Sequence, residues 1–298
     1  MEDRVGMQKR EERLLLASIL VLLLIGAAEV ALGYFVRSIG LIADGIHSWA
    51  DAAVSVLVFA GIWLAKRSPD KTFRHGYGRA ETLFGLIAAF VMVMLGILII
   101  YESILAYLSP VEILNPLLGG GTALLAGTIS LIVALMKWRL AKKTGSEALS
   151  VDAYNSMKDG AASFVVVAGI ALSSIGLLFF DAVAGLIIGV MIIVVGWVSI
   201  KESSIVLMDG CVCADRVRGI FDLAQKISGV KKIHSVKFRK VGRGIFAEAT
   251  VQLEGGISVS EAHRIVTSLK KMIMQQDSEI TRVTVEIEPH QVSPPKAQ

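Results

Sequence analysis

The chain has 298 residues, 54% of them hydrophobic and only 19% charged, a balance that excludes an ordinary soluble domain. Its net charge of +4 does not imply nucleic-acid binding, because the basic residues flank apolar stretches and anchor topology. The apolar excess ends near residue 207 and the remainder has a soluble composition, so two parts are expected in two different solvents.

In chain order, residues 1–13 carry Arg4, Lys9, Arg10 and Arg13 and form a short cytoplasmic segment. Six helices are then predicted at roughly 14–36, 40–65, 82–107, 116–137, 147–175 and 178–207. A span needs about 20 mostly apolar residues. Thr82–Tyr101, Ile113–Met136, Gly160–Phe180 and Ala182–Ile200 contain no charged residue. The first helix is too long for a signal peptide, and no small-residue cleavage site follows it. Lys66, Arg67, Lys71, Arg74 and Arg79 lie in the second connection, and Arg139, Lys142 and Lys143 in the fourth. Arg37 is alone in the first, and the third and fifth have no Lys or Arg. The positive-inside rule therefore puts both termini in the cytoplasm of a protein integral to the cell membrane.

Polar residues repeat inside this apolar frame. The second helix contains Asp44, His47, Ser48 and Asp51, and the fifth contains Asp152, Asn155, Ser156 and Asp159. Both read D-x2-[HN]-S-x2-D, and spacings of three and four place the side chains on one helix face. Ionisable groups in a span are costly and normally face a partner or a watered cavity. His47, Asp51, Asn155 and Asp159 offer one nitrogen and three oxygen-bearing ligands, enough to surround a divalent cation. Without an ion the carboxylates repel, and protons relieve that conflict as a metal does. The same groups can therefore alternate between metal and protons. Asp44 and Asp152 are read as groups that hold the ligands from behind, as helix caps or as cavity-lining residues. Glu29 either lines the same cavity or is interfacial. Lys158 is a counter-charge for the empty site or points to the cytoplasmic mouth. Asp181 is interfacial or an N-terminal cap.

On these residues, and on His75-Gly-Tyr-Gly-Arg79-Ala-Glu81, the chain from about Arg13 to His290 resembles the cation diffusion facilitator family. The resemblance implies six transmembrane helices, a cytoplasmic ferredoxin-like domain and a homodimer. It also implies export of Zn, Mn, Fe or Co in exchange for protons, with His47, Asp51, Asn155 and Asp159 as the transport site. No catalytic residue or resident cofactor is implied. Asn155 stands where relatives commonly have His or Asp, which shifts the site toward oxygen-rich chemistry. Of a further loop site found in some relatives only Asp70 remains, with Phe73 and Tyr77 at positions often held by His, so no metal is expected there. Arg79 and Asp209 match a pair that interlocks the helices of the dimer.

Residues 210–290 are predicted to fold as αββαβ, with helices at Ala214–Ile227 and Ser258–Met274 and strands at Lys232–Lys240, Ile245–Leu253 and Arg282–Glu288. The whole is then a membrane all-α bundle joined to an α+β domain, followed by a disordered tail at 291–298. By resemblance His234, His263, Glu286 and Glu288 could bind metal in this domain, with Thr250 replacing a further His. The other reading is surface charge. Cys211 and Cys213 form a C-x-C pair that does not easily close a relaxed disulfide, and they are read as free thiols. Two rival functions are a metal sensor or scaffold that has lost transport and a membrane metalloenzyme. The second lacks an H-E-x-x-H motif and an open metal position.

Overall fold

In lipid, a backbone can satisfy its polar groups only from within, and the long apolar runs answer with helices. The computed structural model describes residues 2–65, 67–144, 147–211, 219–221, 227–241, 244–277 and 279–290. Six long helices lead: α1 (Glu2–Val36), α2 (Ile39–Ala65), α3 (Ala80–Leu108), α4 (Pro116–Thr144), α5 (Glu147–Ser174) and α6 (Phe179–Leu207). Among the described residues, α1, α3, α4, α5 and α6 contain stretches long and apolar enough to cross a membrane. Large apolar side chains such as Trp63, Met94, Leu117 and Trp197 are exposed on their surfaces, as lipid-facing residues must be.

Two helix ends differ from the sequence expectation. α1 starts at Glu2 rather than near 14, and α4 runs to Thr144 rather than 137. Hydropathy marks where lipid ends, not where a helix ends. The charged segments beyond are rich in Glu, Arg, Lys, Leu and Ala, which continue a helix readily.

The chain divides into two units, residues 1–59 with 85–200 and residues 60–84 with 201–298. In the first, Leu41 of α2, Met92 of α3, Val166 of α5 and Ile188 of α6 share one buried core. The N-terminus of α2 is held from far along the chain. Asp181 of α6 accepts from the Ser38 hydroxyl at 2.6 Å and from the Ile39 amide at 2.7 Å. Asp181 is thus a buried cap, but of α2 rather than of its own helix.

In the second unit, β1 (Val230–Val241) and β2 (Gly244–Leu253) form an antiparallel hairpin. A crossover through α7 (Val259–Gln276) brings β3 (Ile280–Pro289) parallel to β2, in the strand order β1-β2-β3. Ser258 caps α7 by accepting from the Glu261 amide at 3.2 Å, half of a capping box. Alternate residues of β2, including Ala247, Val251 and Leu253, are buried with Leu269 and Ile273 of α7. The helix expected over 214–227 lies mostly outside the described residues, and Gly219–Phe221 within it are helical. The tail expected to be disordered, 291–298, also lies outside them.

Candidate metal centre

The two helices carrying the repeated stripe are each drawn close to a neighbour by glycine. A Cβ on Gly45 of α2 would lie 2.8 Å from the Gly26 carbonyl of α1, and one on Gly127 of α4 would lie 3.1 Å from the Gly160 carbonyl of α5. Small residues permit this backbone approach in membranes. His47 Nε2 lies 3.7 Å from Asp51 Oδ2 and 3.7 Å from Asp159 Oδ1. The three ligand atoms are all within 4.8 Å of one another. His47 is buried and the two carboxylates are mostly so, with side-chain exposures of 27% for Asp51 and 15% for Asp159. A dication at their centre would be held by two carboxylates and an imidazole, which removes the carboxylate repulsion.

The remaining stripe residues distribute around this cluster. Asn155 is one turn before Asp159 on α5, and its side chain is exposed on the single chain. The Asp152 side chain lies outside the described residues. Asp44 is buried one turn before His47, and the buried Glu29 carboxyl of α1 faces Asp44 and Ser48. Glu29 therefore extends the polar interior beside Asp44. Lys158 is exposed, with its amine 4.8 Å from the Tyr154 ring centre, so it is not the buried counter-charge. The buried lysine is Lys137 of α4, only 1% exposed, whose amine donates to the Ser156 hydroxyl at 2.9 Å. Sequence reasoning missed it because it ended α4 at that residue. The signal was available, since the helix-forming residues after Lys137 place it two turns inside α4.

Comparison with known proteins settles the lineage. Residues 15–208 match the cation efflux transmembrane domain, and residues 214–290 match the cation efflux protein cytoplasmic domain. The chain belongs to the cation diffusion facilitator family. It is an integral membrane protein of a family of metal-efflux transporters. The manganese efflux system protein MneS of Bacillus subtilis is 29% identical over 287 residues, covering 96% of this chain and 98% of the relative. The manganese efflux system protein MneP of the same organism is 27% identical, covering 92% and 95%. Among solved structures, a cadmium form of a MamM CTD variant is 22% identical, covers 26% of this chain and 99% of its own, and has a TM-score of 0.26.

Elsewhere in this family member the candidate ligands are more scattered. His263 and Glu288 both line a cavity of about 510 Å³ in the cytoplasmic domain, and Glu288 also accepts from Gln252 at 3.4 Å. His234 is exposed at a break in the β1–β2 register, and Glu286 is exposed on β3 beside Thr250. Among the described residues, none of these four joins a three-residue ligand cluster. The free-thiol reading of Cys211 is corrected, because Cys211 is disulfide-bonded. Cys213 lies outside the described residues.

Asp70 is committed to the turn it sits in. Its Oδ1 accepts from the Thr72 and Phe73 amides at 2.9 and 2.7 Å, and its Oδ2 accepts from the Tyr77 hydroxyl. The Phe73 amide first, then the Tyr77 hydroxyl, hold the Asp70 carboxyl below the usual carboxylate range. The same hydrogen bond holds the Tyr77 phenol above its own. A depressed folded pKa stabilises the turn above the unfolded value near ~3.9, and that contribution is lost as pH falls through the folded pKa. Hydrogen-exchange protection of the Phe73 amide is expected to follow that course. Asp70→Ala is expected to lose the protection at neutral pH yet keep metal flux within about twofold of wild type, since only surface turn contacts are removed.

Proposed function

We propose that this chain exports divalent first-row metal ions from the cytoplasm in exchange for protons, with Mn²⁺ among its cargo. It works as a homodimer whose six helices all span the cell membrane and whose termini are cytoplasmic. α2 is the sixth span and carries half of the site. The observation that supports this most is the meeting of His47, Asp51 and Asp159 from α2 and α5 within 4.8 Å. Asn155, one turn from Asp159, is the fourth ligand, with Asp44 and Asp152 behind the site. His263 and Glu288, with His234 and Glu286, form at most weaker sites in the cytoplasmic domain.

Two findings favour Mn²⁺ among the cargo. Both relatives described above are named for manganese efflux. The donor set is also rich in oxygen, which Mn²⁺ accepts more readily than Zn²⁺ or Cd²⁺ does.

The test is metal-stimulated proton flux in proteoliposomes, across Mn²⁺, Fe²⁺, Co²⁺, Zn²⁺, Cd²⁺ and Ni²⁺. Metal uptake with counter-moving protons is expected, with Mn²⁺ among the carried ions. Metal flux without proton movement would overturn the exchange. Asn155→His adds a second imidazole. It is expected to raise Zn²⁺ over Mn²⁺ transport by about tenfold, which needs only about 1.4 kcal/mol. It should also make transport more sensitive to acid, because imidazole titrates near neutral pH. An unchanged Zn²⁺/Mn²⁺ ratio in competition flux would remove Asn155 from the site.

A further inference from the structure

A cavity of about 550 Å³ opens where the ends of three helices meet the β1–β2 hairpin, all within the second unit. Its floor is apolar, made by Leu64 at the end of α2, Leu83 at the start of α3 and Leu207 at the end of α6. Its wall is cationic. Arg79 pairs with Asp209 and also donates to the Leu207 carbonyl at 3.4 Å. Arg239 of β1 approaches the same Asp209 oxygen at 4.0 Å and pairs with Glu248 at 3.4 Å.

Three features mark this wall as an anion receptor. Two guanidinium groups converge on one carboxylate oxygen, so an oxyanion position already exists and Asp209 fills it. The Arg239 Nε is buried and has no hydrogen-bond partner, which leaves a donor that a larger oxyanion could satisfy. Arg282 joins Arg239 over the Phe246 ring, each 5.7 Å from its centre. Arg79 and Arg239 line the cavity with Asp209, and Glu248 pairs with Arg239. A phosphodiester carries one negative charge and several acceptor oxygens, and guanidinium forks bind phosphate well.

We propose that this cavity binds the phosphodiester headgroup of an anionic phospholipid from the cytoplasmic leaflet. The phosphate takes the place of the Asp209 carboxylate between Arg79 and Arg239, and the glycerol ester region rests on the three leucines. Basic pockets at the cytoplasmic ends of transmembrane helices suit such headgroups. A free phosphate offers the same oxygens but gains nothing from the apolar floor. Asp209 has φ 65° and lies two residues past the end of α6, so displacing its carboxylate releases the tie from this turn to Arg79 and Arg239.

The experiment measures retention of phosphatidylglycerol against phosphatidylcholine on the detergent-solubilised full chain, with inorganic phosphate as competitor. Phosphatidylglycerol is expected to be retained preferentially. Arg239→Gln is expected to weaken that retention about tenfold, as loss of a charge-assisted hydrogen bond would. Lys237→Gln, which removes an exposed charge of the same strand from outside the cavity lining, is expected to leave it unchanged. Asp209→Asn removes the internal competitor and is expected to tighten retention several-fold, a gain that misfolding cannot mimic. Equal retention of the two lipids, equal losses in Arg239→Gln and Lys237→Gln, or weaker retention in Asp209→Asn would each overturn the proposal. Displacement of the lipid by equimolar inorganic phosphate would assign the site to soluble phosphate and overturn its assignment to lipid.

Discussion

Asp51→Ala and Asp159→Ala are each expected to lower metal flux by at least about 100-fold while leaving the chain folded and dimeric. Loss of a group that only orients a metal ligand already costs about 10–100-fold in affinity or activity. Loss of a carboxylate ligand also removes half of the negative charge that compensates a dication. His47 lies 3.7 Å from each carboxylate, so either substitution leaves an imidazole, the Asn155 amide and one acid, too little negative charge to hold a dication. Folding should survive, because the empty site holds carboxylates that repel one another, and functional sites of this kind often work against stability. A second readout separates binding from folding. An ion that binds only the native state at 100 times its Kd stabilises it by about 2.7 kcal/mol. Wild type should therefore show a Mn²⁺-dependent rise in Tm, and both variants should lose the rise but not the basal Tm. Wild-type flux in either variant would remove that residue from the transport site.

The sequence carried most of this site because the chemistry is local and duplicated. His47 and Asp51 are one helical turn apart, as are Asn155 and Asp159, and a repeated polar pattern stands out against an apolar background. The pairing of α2 with α5 was also legible, since each stripe is only half of a ligand set. Contacts between distant segments were not. The cap on α2 comes from Asp181, 142 residues away from Ile39, and no local pattern records a partner at that distance. The role of Asp70 was hidden for a different reason. An acid in a basic loop can be a ligand, a cap or a surface charge, and only the placement of the Thr72 and Phe73 amides decides among them. In the cytoplasmic domain the strands and α7 followed from their periodicities. Whether His263 and Glu288 would share a cavity depended on the β2-α7-β3 crossover, which no motif encodes.

Lys137→Met is expected to lower maximal metal flux about tenfold without lowering Tm. The residue is 1% exposed in the interior of the α4–α5 seam, and its amine reaches Ser156, the residue between Asn155 and Met157. A buried lysine carries a desolvation cost, so an apolar side chain of similar length should be tolerated or should stabilise. The released Ser156 hydroxyl can turn to the carbonyl four residues earlier in its own helix, which limits the penalty further. Flux should nevertheless fall, because the lysine fixes the turn of α5 that presents Asn155 and Asp159 to the ion. A displacement of about 1 Å in such a site can cost about 100-fold, and a partly restrained helix should lose less. Lys137→Gln keeps a donor of nearly the same reach but no charge, and it divides the two contributions. If the hydrogen bond positions α5, Gln should restore most of the flux lost in Met. If the charge itself tunes the carboxylates, Gln should behave like Met and both should shift the pH dependence of flux. Full flux in Lys137→Met would show that the lysine only joins α4 to α5 and plays no part in transport.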